Sequence, residues 1–318
     1  MDKVLVTGGS GFLGSNLVKR LVHEGYTVRV LDNNFRGRKC KLKEYLNEIE
    51  FLDGDIRNFE LVDRSCKNMD VVIHLAFING TKFFYQIPEQ VLDIGVKGAL
   101  NTLEASIKNG IKKYILASSS EIYQEPTTIP TLETERAIIP DITNPRYSYA
   151  GGKIISELLT IHYCRKHSLP YIIFRPHNIY GPDMGFEHVI PEFILRMKEL
   201  SNNFSNPSIH FPIQGTGNET RSFCYIDDFI DGLILLLKSD NMNEIYNIGN
   251  DQEEIKITNL AYTIAELLNI EINIVNRELS SGSTPRRCPN IQKLRELGYN
   301  PRISLKEGLI NTMAWYLA

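Results

Sequence analysis

The stretch VLVTGGSGFLGS, Val4 to Ser15, runs from an apolar segment into three evenly spaced glycines, Gly8, Gly11 and Gly14. Read as a strand that turns directly into a helix, it gives each glycine a task. The first permits the sharp turn, the second lets backbone N–H groups approach a pyrophosphate with no Cβ in the way, and the third lets the helix pack on the strand. The helix N-terminus then offers its unpaired N–H groups and positive dipole end to the anion. The alternative is a tight turn that is merely rich in glycine. The neighbouring residues favour the cradle. The next apolar run, TVRVLD, ends at Asp32, close to the ~20 residues beyond the glycines at which an acidic side chain meets a ribose. There it can hold both ribose hydroxyls and repel a 2′-phosphate, which favours NAD over NADP. Arg36 and Arg38 come just after and blur that preference, and Asp32 as a plain turn residue stays open.

Working outward, KVLVTG, TVRVLD, IEFLDGD, DVVIHLA, KKYILASSS and PYIIFRP read as near-continuous apolar strands bounded by turn residues. That pattern belongs to a parallel sheet covered on both faces. Helix-period segments lie between them, among them Gly14–Glu24, Pro88–Asn109 and Tyr149–His167. The alternation predicts an α/β fold, a doubly wound parallel Rossmann sheet. After Pro176 the rhythm changes to loops (NIYGPDMG, SNNFSNPS, QGTGNE) and shorter helices around Pro191–Ser201, Asp227–Ser239, Thr258–Leu268 and Asn290–Leu297. Residues 1–176 therefore read as the dinucleotide-binding domain. Residues 177–318 read as a smaller, mixed substrate lobe, with a return to the main sheet near 225–250, at the YNIGN run.

The bulk numbers narrow the function. With 35 Lys and Arg against 38 Asp and Glu, the net charge is −3, and nothing asks for a nucleic-acid partner. No apolar run reaches the length of a membrane span, and the early VLV run passes straight into glycines, unlike a signal peptide. Five scattered cysteines, with no CxxC pair, argue against a metal centre or a disulfide framework and for a reducing, cytoplasmic compartment.

Tyr149 and Lys153 lie four residues apart on an expected helix and share one face. A phenol is a poor base near neutrality, and a neighbouring ammonium stabilises its phenolate. Such a Tyr can take a proton from a sugar hydroxyl while hydride leaves the carbon for nicotinamide.

The ordered set GGSGFLG, GDI (Gly54–Ile56), HLA (His74–Ala76), ASSSEIY (Ala117–Tyr123), YAGGK (Tyr149–Lys153), RPHNIYGP (Arg175–Pro182) and TRSFCYIDD (Thr220–Asp228) closely resembles the extended short-chain dehydrogenase/reductase family. Within it, the set is similar to the branch of nucleotide-sugar epimerases, dehydratases and decarboxylases. The resemblance runs to about Leu309. It implies an NAD-dependent enzyme acting on a nucleotide-diphosphate sugar. Gly8, Gly11, Phe12, Leu13, Gly14, Asp32 and Asn33 would hold NAD, with Asp55 and Ile56 at the adenine. Leu75, Ala76, Tyr149, Lys153 and His177 would also line the cofactor. Ser119 would hydrogen-bond the reacting oxygen beside Tyr149. Asn178, Val189, Arg221 and one or both of Arg286 and Arg287 would bind the sugar nucleotide, the arginines at its diphosphate. A core role for His177 and surface roles for the arginines stay open. One departure stands out: Gly95 occupies a position where the family usually has Asn. The resemblance also implies pairing of the helices around 88–109 and 149–167 with those of a second copy, as a four-helix bundle.

Oxidation at sugar C4 is the first step such a site implies, and the 4-keto sugar has several fates. The motif-rich runs resemble enzymes of capsule and lipopolysaccharide synthesis, GDP-heptose 4-dehydrogenases among them, which release the 4-keto product. The alternatives are a C4 epimerase, or a 4,6-dehydratase or decarboxylase in which Ser120 and Glu121 serve as acid and base. A non-catalytic dinucleotide sensor is the remote reading, because the Tyr and the Lys are both present.

Overall fold

The computed structural model describes residues 2–203, 208–278 and 284–318. The expected SNNFSNPS loop falls at 204–207 outside the described residues. The first half supplies strands β1 (Lys3–Thr7), β2 (Thr27–Asp32), β3 (Ile49–Asp53), β4 (Val71–His74), β5 (Lys113–Ala117) and β6 (Tyr171–Pro176). The second half carries β7 (Ile179–Tyr180), β8 (Ser208–Gln214), β9 (Thr220–Ser222) and β10 (Cys224–Tyr225), then β11 (Glu244–Ile248), β12 (Glu254–Lys256), β13 (Glu271–Arg277) and β14 (Arg286–Arg287). The main sheet has seven parallel strands in the order β11-β6-β5-β4-β1-β2-β3. The YNIGN segment thus returns to the sheet as the edge strand β11.

The helices are α1 (Phe12–His23), α2 (Phe59–Cys66), α3 (Thr81–Gln86), α4 (Pro88–Lys108), α5 (Ser148–His167), α6 (Val189–Asn203), α7 (Ile226–Lys238), α8 (Ile257–Leu268), α9 (Gln292–Arg295) and α10 (Leu305–Tyr316). Side chains alternate across a strand, so the sheet carries two cores. Val4 and Val6 pack with Leu17, Leu21, Phe229 and Leu233 of α1 and α7. Leu5, Val72 and Leu116 pack with Val91, Ile94 and Leu103 of α4 and with Tyr149 and Cys164 of α5. Burial on both faces is why these strands read as unbroken apolar runs.

Two features depart from the sequence reading. The helix expected at 290–297 is only the single turn α9. The helix α10 is not among those expected; it begins at Ser304, whose Oγ accepts the Glu307 N–H at 3.3 Å, and buries Leu305, Leu309 and Met313.

Candidate active site

The turn from β1 into α1 obeys the glycine logic. Gly8 sits at φ +76°, where a side chain is strained, and a Cβ there would press on the Ala76 backbone nitrogen at 2.7 Å. A Cβ on Gly14 would run into the Gly8 carbonyl and the Gly9 Cα. Gly11 is the N-cap of α1 and supplies no side-chain cap, so the first N–H groups of the helix lack intrahelical partners. The loop walls a cavity of about 520 Å³ that runs past Phe12, Leu13, Asp32, Asn33, Asp55, Ile56, Leu75 and Ala76 to Ser119, Ser120, Glu121, Tyr149, Lys153, Asn178 and Arg287. A cradle that any Cβ would fill, topped by uncapped N–H groups, fits a dinucleotide pyrophosphate.

Asp32 has a structural task as well. Its carboxylate accepts from Ser10 N at 2.9 Å and from Asn34 N at 2.8 Å, fixing the glycine loop against the end of β2. Asn33 donates to Asp55 at 3.3 Å, and Arg57 beside Asp55 lowers that carboxyl from its ordinary range. Arg36 and Arg38 are engaged elsewhere: Arg36 pairs with Glu187 at 3.1 Å and Arg38 with Asp183 at 2.6 Å. Lys41 also reaches Asp183. These pairs tie the loop after β2 to the 183–187 loop where both line the cavity. The two arginines thus answer carboxylates, and the ambiguity they brought to the cofactor preference falls away.

At the other end, α5 brings Tyr149 and Lys153 to the C-terminal end of β5. Lys153 Nζ donates to the Ala117 carbonyl at 2.7 Å, and Ser119 hydrogen-bonds the Tyr149 hydroxyl. Ser119 also caps the turn after β5, accepting from Glu121 N at 3.1 Å. Burial pushes the Tyr149 phenol up, although its Ser119 hydrogen bond acts to lower it. Burial pushes the Lys153 ammonium down to about 7, with Glu157 opposing. Both side chains are buried at the wall of the cavity, and burial is the largest influence on each.

Glu121 is partly buried, its side chain 22% exposed, and is ionised. Burial acts to raise it, but Arg287, Arg146 and Arg221 bring it down to about 2. Arg287 Nη1 donates to Glu121 Oε1 at 2.6 Å and Nη2 to Thr284 Oγ1 at 3.0 Å. Its Nε is buried with no partner among the described residues. Arg146, which the sequence reading missed, stands 3.8 Å from Glu121 on the turn before α5. Arg221 donates to the Thr220 and Thr284 carbonyls. Asn178, at φ +45°, donates to the Ser222 carbonyl at 2.9 Å.

Four expected site residues are not among those that line the cavity: His177, Val189, Arg221 and Arg286. His177 is buried beside the Tyr123 ring, with Nε2 sharing a hydrogen bond with Asn247 at 3.1 Å; burial drops its imidazole to about 3, the behaviour of a neutral core histidine. Arg286 points to Glu254, with contacts of 2.7 and 2.8 Å. Val189 opens α6 away from the lining. Behind Lys153 runs a buried polar chain that the sequence did not disclose. Arg175 makes a two-pronged pair with Glu157 at 2.8 and 2.7 Å, and donates to Tyr123 Oη and the Glu133 carbonyl. Tyr123 in turn donates to Asn247.

Residues 4–249 match the model of the NAD dependent epimerase/dehydratase family. The chain is 33% identical over 314 residues to UDP-glucuronic acid decarboxylase 5 of Arabidopsis thaliana, covering 96% of this chain and 87% of the other. It is 31% identical over 324 residues to UDP-N-acetyl-α-D-glucosaminuronate decarboxylase of Bacillus cytotoxicus, with 99% and 97% covered. Among solved structures, the UDP-glucose 4-epimerase of Thermotoga maritima with UDP-glucose is similar at a TM-score of 0.88 and 28% identity, covering 99% and 98% of the chains. The dTDP-glucose 4,6-dehydratase of Streptomyces venezuelae with NAD bound is similar at 0.87 and 27%, covering 99% and 97%.

Proposed function

Because the chain belongs to the NAD-dependent epimerase/dehydratase family, we propose that it decarboxylates a nucleotide-linked uronic acid through a 4-keto intermediate. The observation that carries this reading is the Arg287–Glu121 pair inside the cavity, with Arg146 and Arg221 beside it. A carboxylate held near pKa 2 is a poor base for the C5 proton that dehydration must remove, and Ser120 is a poor acid. Decarboxylation needs no such base. It needs a cation for the C6 carboxylate, and Arg287, which lines the cavity, supplies one. The relatives described above act, by their names, on UDP- or dTDP-sugars, which favours this alternative over a GDP-heptose 4-dehydrogenase.

Bound in the glycine-loop cradle, NAD would supply a reversible hydride acceptor for C4 and a positive ring beside Tyr149. Tyr149, as a phenolate that the neighbouring Lys153 ammonium and the positive ring of bound NAD would stabilise, takes the C4 hydroxyl proton, with Ser119 holding the same oxygen. The C4 ketone then stands β to the C6 carboxylate. The C5–C6 bond breaks, CO2 leaves, and the electron pair moves to the C4 oxygen, where the Tyr149 and Ser119 hydroxyls stabilise it. A proton from solvent water then adds to C5 as the C4 carbonyl re-forms, and Tyr149 gives its proton back to the C4 oxygen when the hydride is returned.

The test is a panel of UDP-glucuronate, UDP-N-acetylglucosaminuronate, UDP-glucose, dTDP-glucose and a GDP-heptose with NAD in deuterated water, and then product mass. The expected result is CO2 loss with deuterium at C5 from a uronate alone. Arg287→Gln is expected to lower that turnover about a hundredfold, as for removal of one transition-state donor. Epimerised UDP-glucose, dehydrated dTDP-glucose or a 4-keto GDP-heptose, with both uronates untouched, would refute the proposal.

We also infer a homodimer through α4 and α5. Leu92 on α4 is 36% exposed, and Ile155 and Leu158 on α5 are 38% and 51% exposed, an apolar face suited to an isologous four-helix bundle. Sedimentation should give about twice the 36.3 kDa chain mass, and Leu158→Glu should give monomers; a wild type that sediments as a monomer overturns the inference. The cysteines are free thiols, as a cytoplasmic enzyme keeps them, and no described helix is long and apolar enough to cross a membrane.

A further inference from the structure

Phe77, on the loop after β4, fits a slot made by two helices. A Cβ on Gly95 of α4 would collide with its ring, and a Cβ on Gly152 of α5 would come within 2.8 Å of Cζ. The ring so seated lies under the Lys153 ammonium, 4.0 Å from Nζ to centroid. It also meets Tyr149 edge to face, at 5.1 Å and 83°, while Phe84 of α3 stacks on Tyr149 at 5.0 Å and 17°. We propose that Phe77 is a positioning residue for the reaction: its π face holds the Lys153 ammonium charged and in place beside Tyr149, and Gly95 and Gly152 are glycines so that the ring can reach it.

Little else is available to hold that charge. Lys153 is buried, and its ammonium has one hydrogen bond among the described residues, to the Ala117 carbonyl. The nearest countercharge, Glu157 one helical turn along α5, is committed on both oxygens to Arg175. His74 of β4 is neutral, brought down to about 3 by burial and by Lys153, and Glu121 bears on Tyr149 while paired with Arg287. An aromatic face attracts a desolvated cation without using its remaining N–H groups. Lys153 thereby keeps a donor free for the cavity, and at the usual position of a family Asn this chain carries a glycine that makes room for a ring.

The experiment reads Lys153 itself, so it stands apart from the choice of substrate. The full-length protein, labelled with 13C at lysine Cε and saturated with NAD, is titrated by NMR, and the Lys153 signal is assigned by its loss in Lys153→Arg. Phe77→Leu keeps bulk and removes the π face, and should lower the Lys153 pKa by about half a unit to one unit. Phe77→Tyr should restore it. Gly95→Ala, which leaves the ring in the chain but displaces it from the slot, should shift the pKa in the same direction. It carries the test should Phe77→Leu fail to fold. A Lys153 pKa unmoved in whichever of Phe77→Leu and Gly95→Ala folds would reduce Phe77 to core filler and overturn the proposal. A failed substrate panel alongside a shifted Lys153 would strike the decarboxylase reading alone.

Discussion

Tyr149→Phe is expected to lower turnover about a thousandfold, within the 10²–10⁴ span of a lost general base, while NAD affinity stays within about twofold. The substitution removes one oxygen. The ring keeps its edge contact with Phe77 and its stack on Phe84, and α5 keeps its packing, so stability should hold. What disappears is the proposed acceptor of the C4 proton and the partner of Ser119. Steady-state rates on the responding sugar nucleotide, paired with NAD binding by fluorescence, check the prediction. Turnover at the wild-type level would remove Tyr149 from the chemistry and revive a purely sensory role for the fold.

The second large effect is on stability. Arg175→Met should cost about 3–5 kcal/mol, because it strands the buried Glu157 carboxylate. Both side chains are nearly closed to solvent, at 4% and 6% exposure, and the arginine also loses Tyr123 and the Glu133 carbonyl. The double variant Arg175→Met, Glu157→Leu should recover most of the loss, since replacing a whole buried pair by apolar groups is often nearly neutral. Denaturant midpoints for the two single variants and the double variant decide it. A Met variant within about 1 kcal/mol of wild type, the scale of a surface pair, would mean that water reaches the pair.

Much of the fold is legible because burial leaves marks in sequence. The strands β1, β4, β5 and β6 are covered on both faces and appear as unbroken Val, Ile and Leu runs. Gly8 and Gly14 are forced by close backbone approach, which a motif can record. Ser119, Tyr149 and Lys153 meet where the end of β5 faces α5, as the ordered motifs suggest. What stays hidden depends on contacts between distant segments. Arg175 stands inside RPHNIYGP, yet its partner Glu157 lies on the preceding helix α5, and nothing local links them. His177 belongs to the same motif but turns to Asn247 on β11. The pairing of Phe77 with Gly95 and Gly152 joins three elements, so Gly95 alone reads only as a missing polar group. The helix α10 is a different omission: Ser304 and Glu307 have the spacing of a helix-starting cap, and that signal was available.

The ion pairs between the loop after β2 and the 183–187 loop have a kinetic meaning. They form a clasp at the rim of the cavity, and widening that side means parting Arg36 from Glu187, and Arg38 and Lys41 from Asp183. Each pair is modest, partly exposed and weakened by salt. Residence of a dinucleotide behind such a clasp should lengthen at low ionic strength, and its dissociation rate across a salt series checks this.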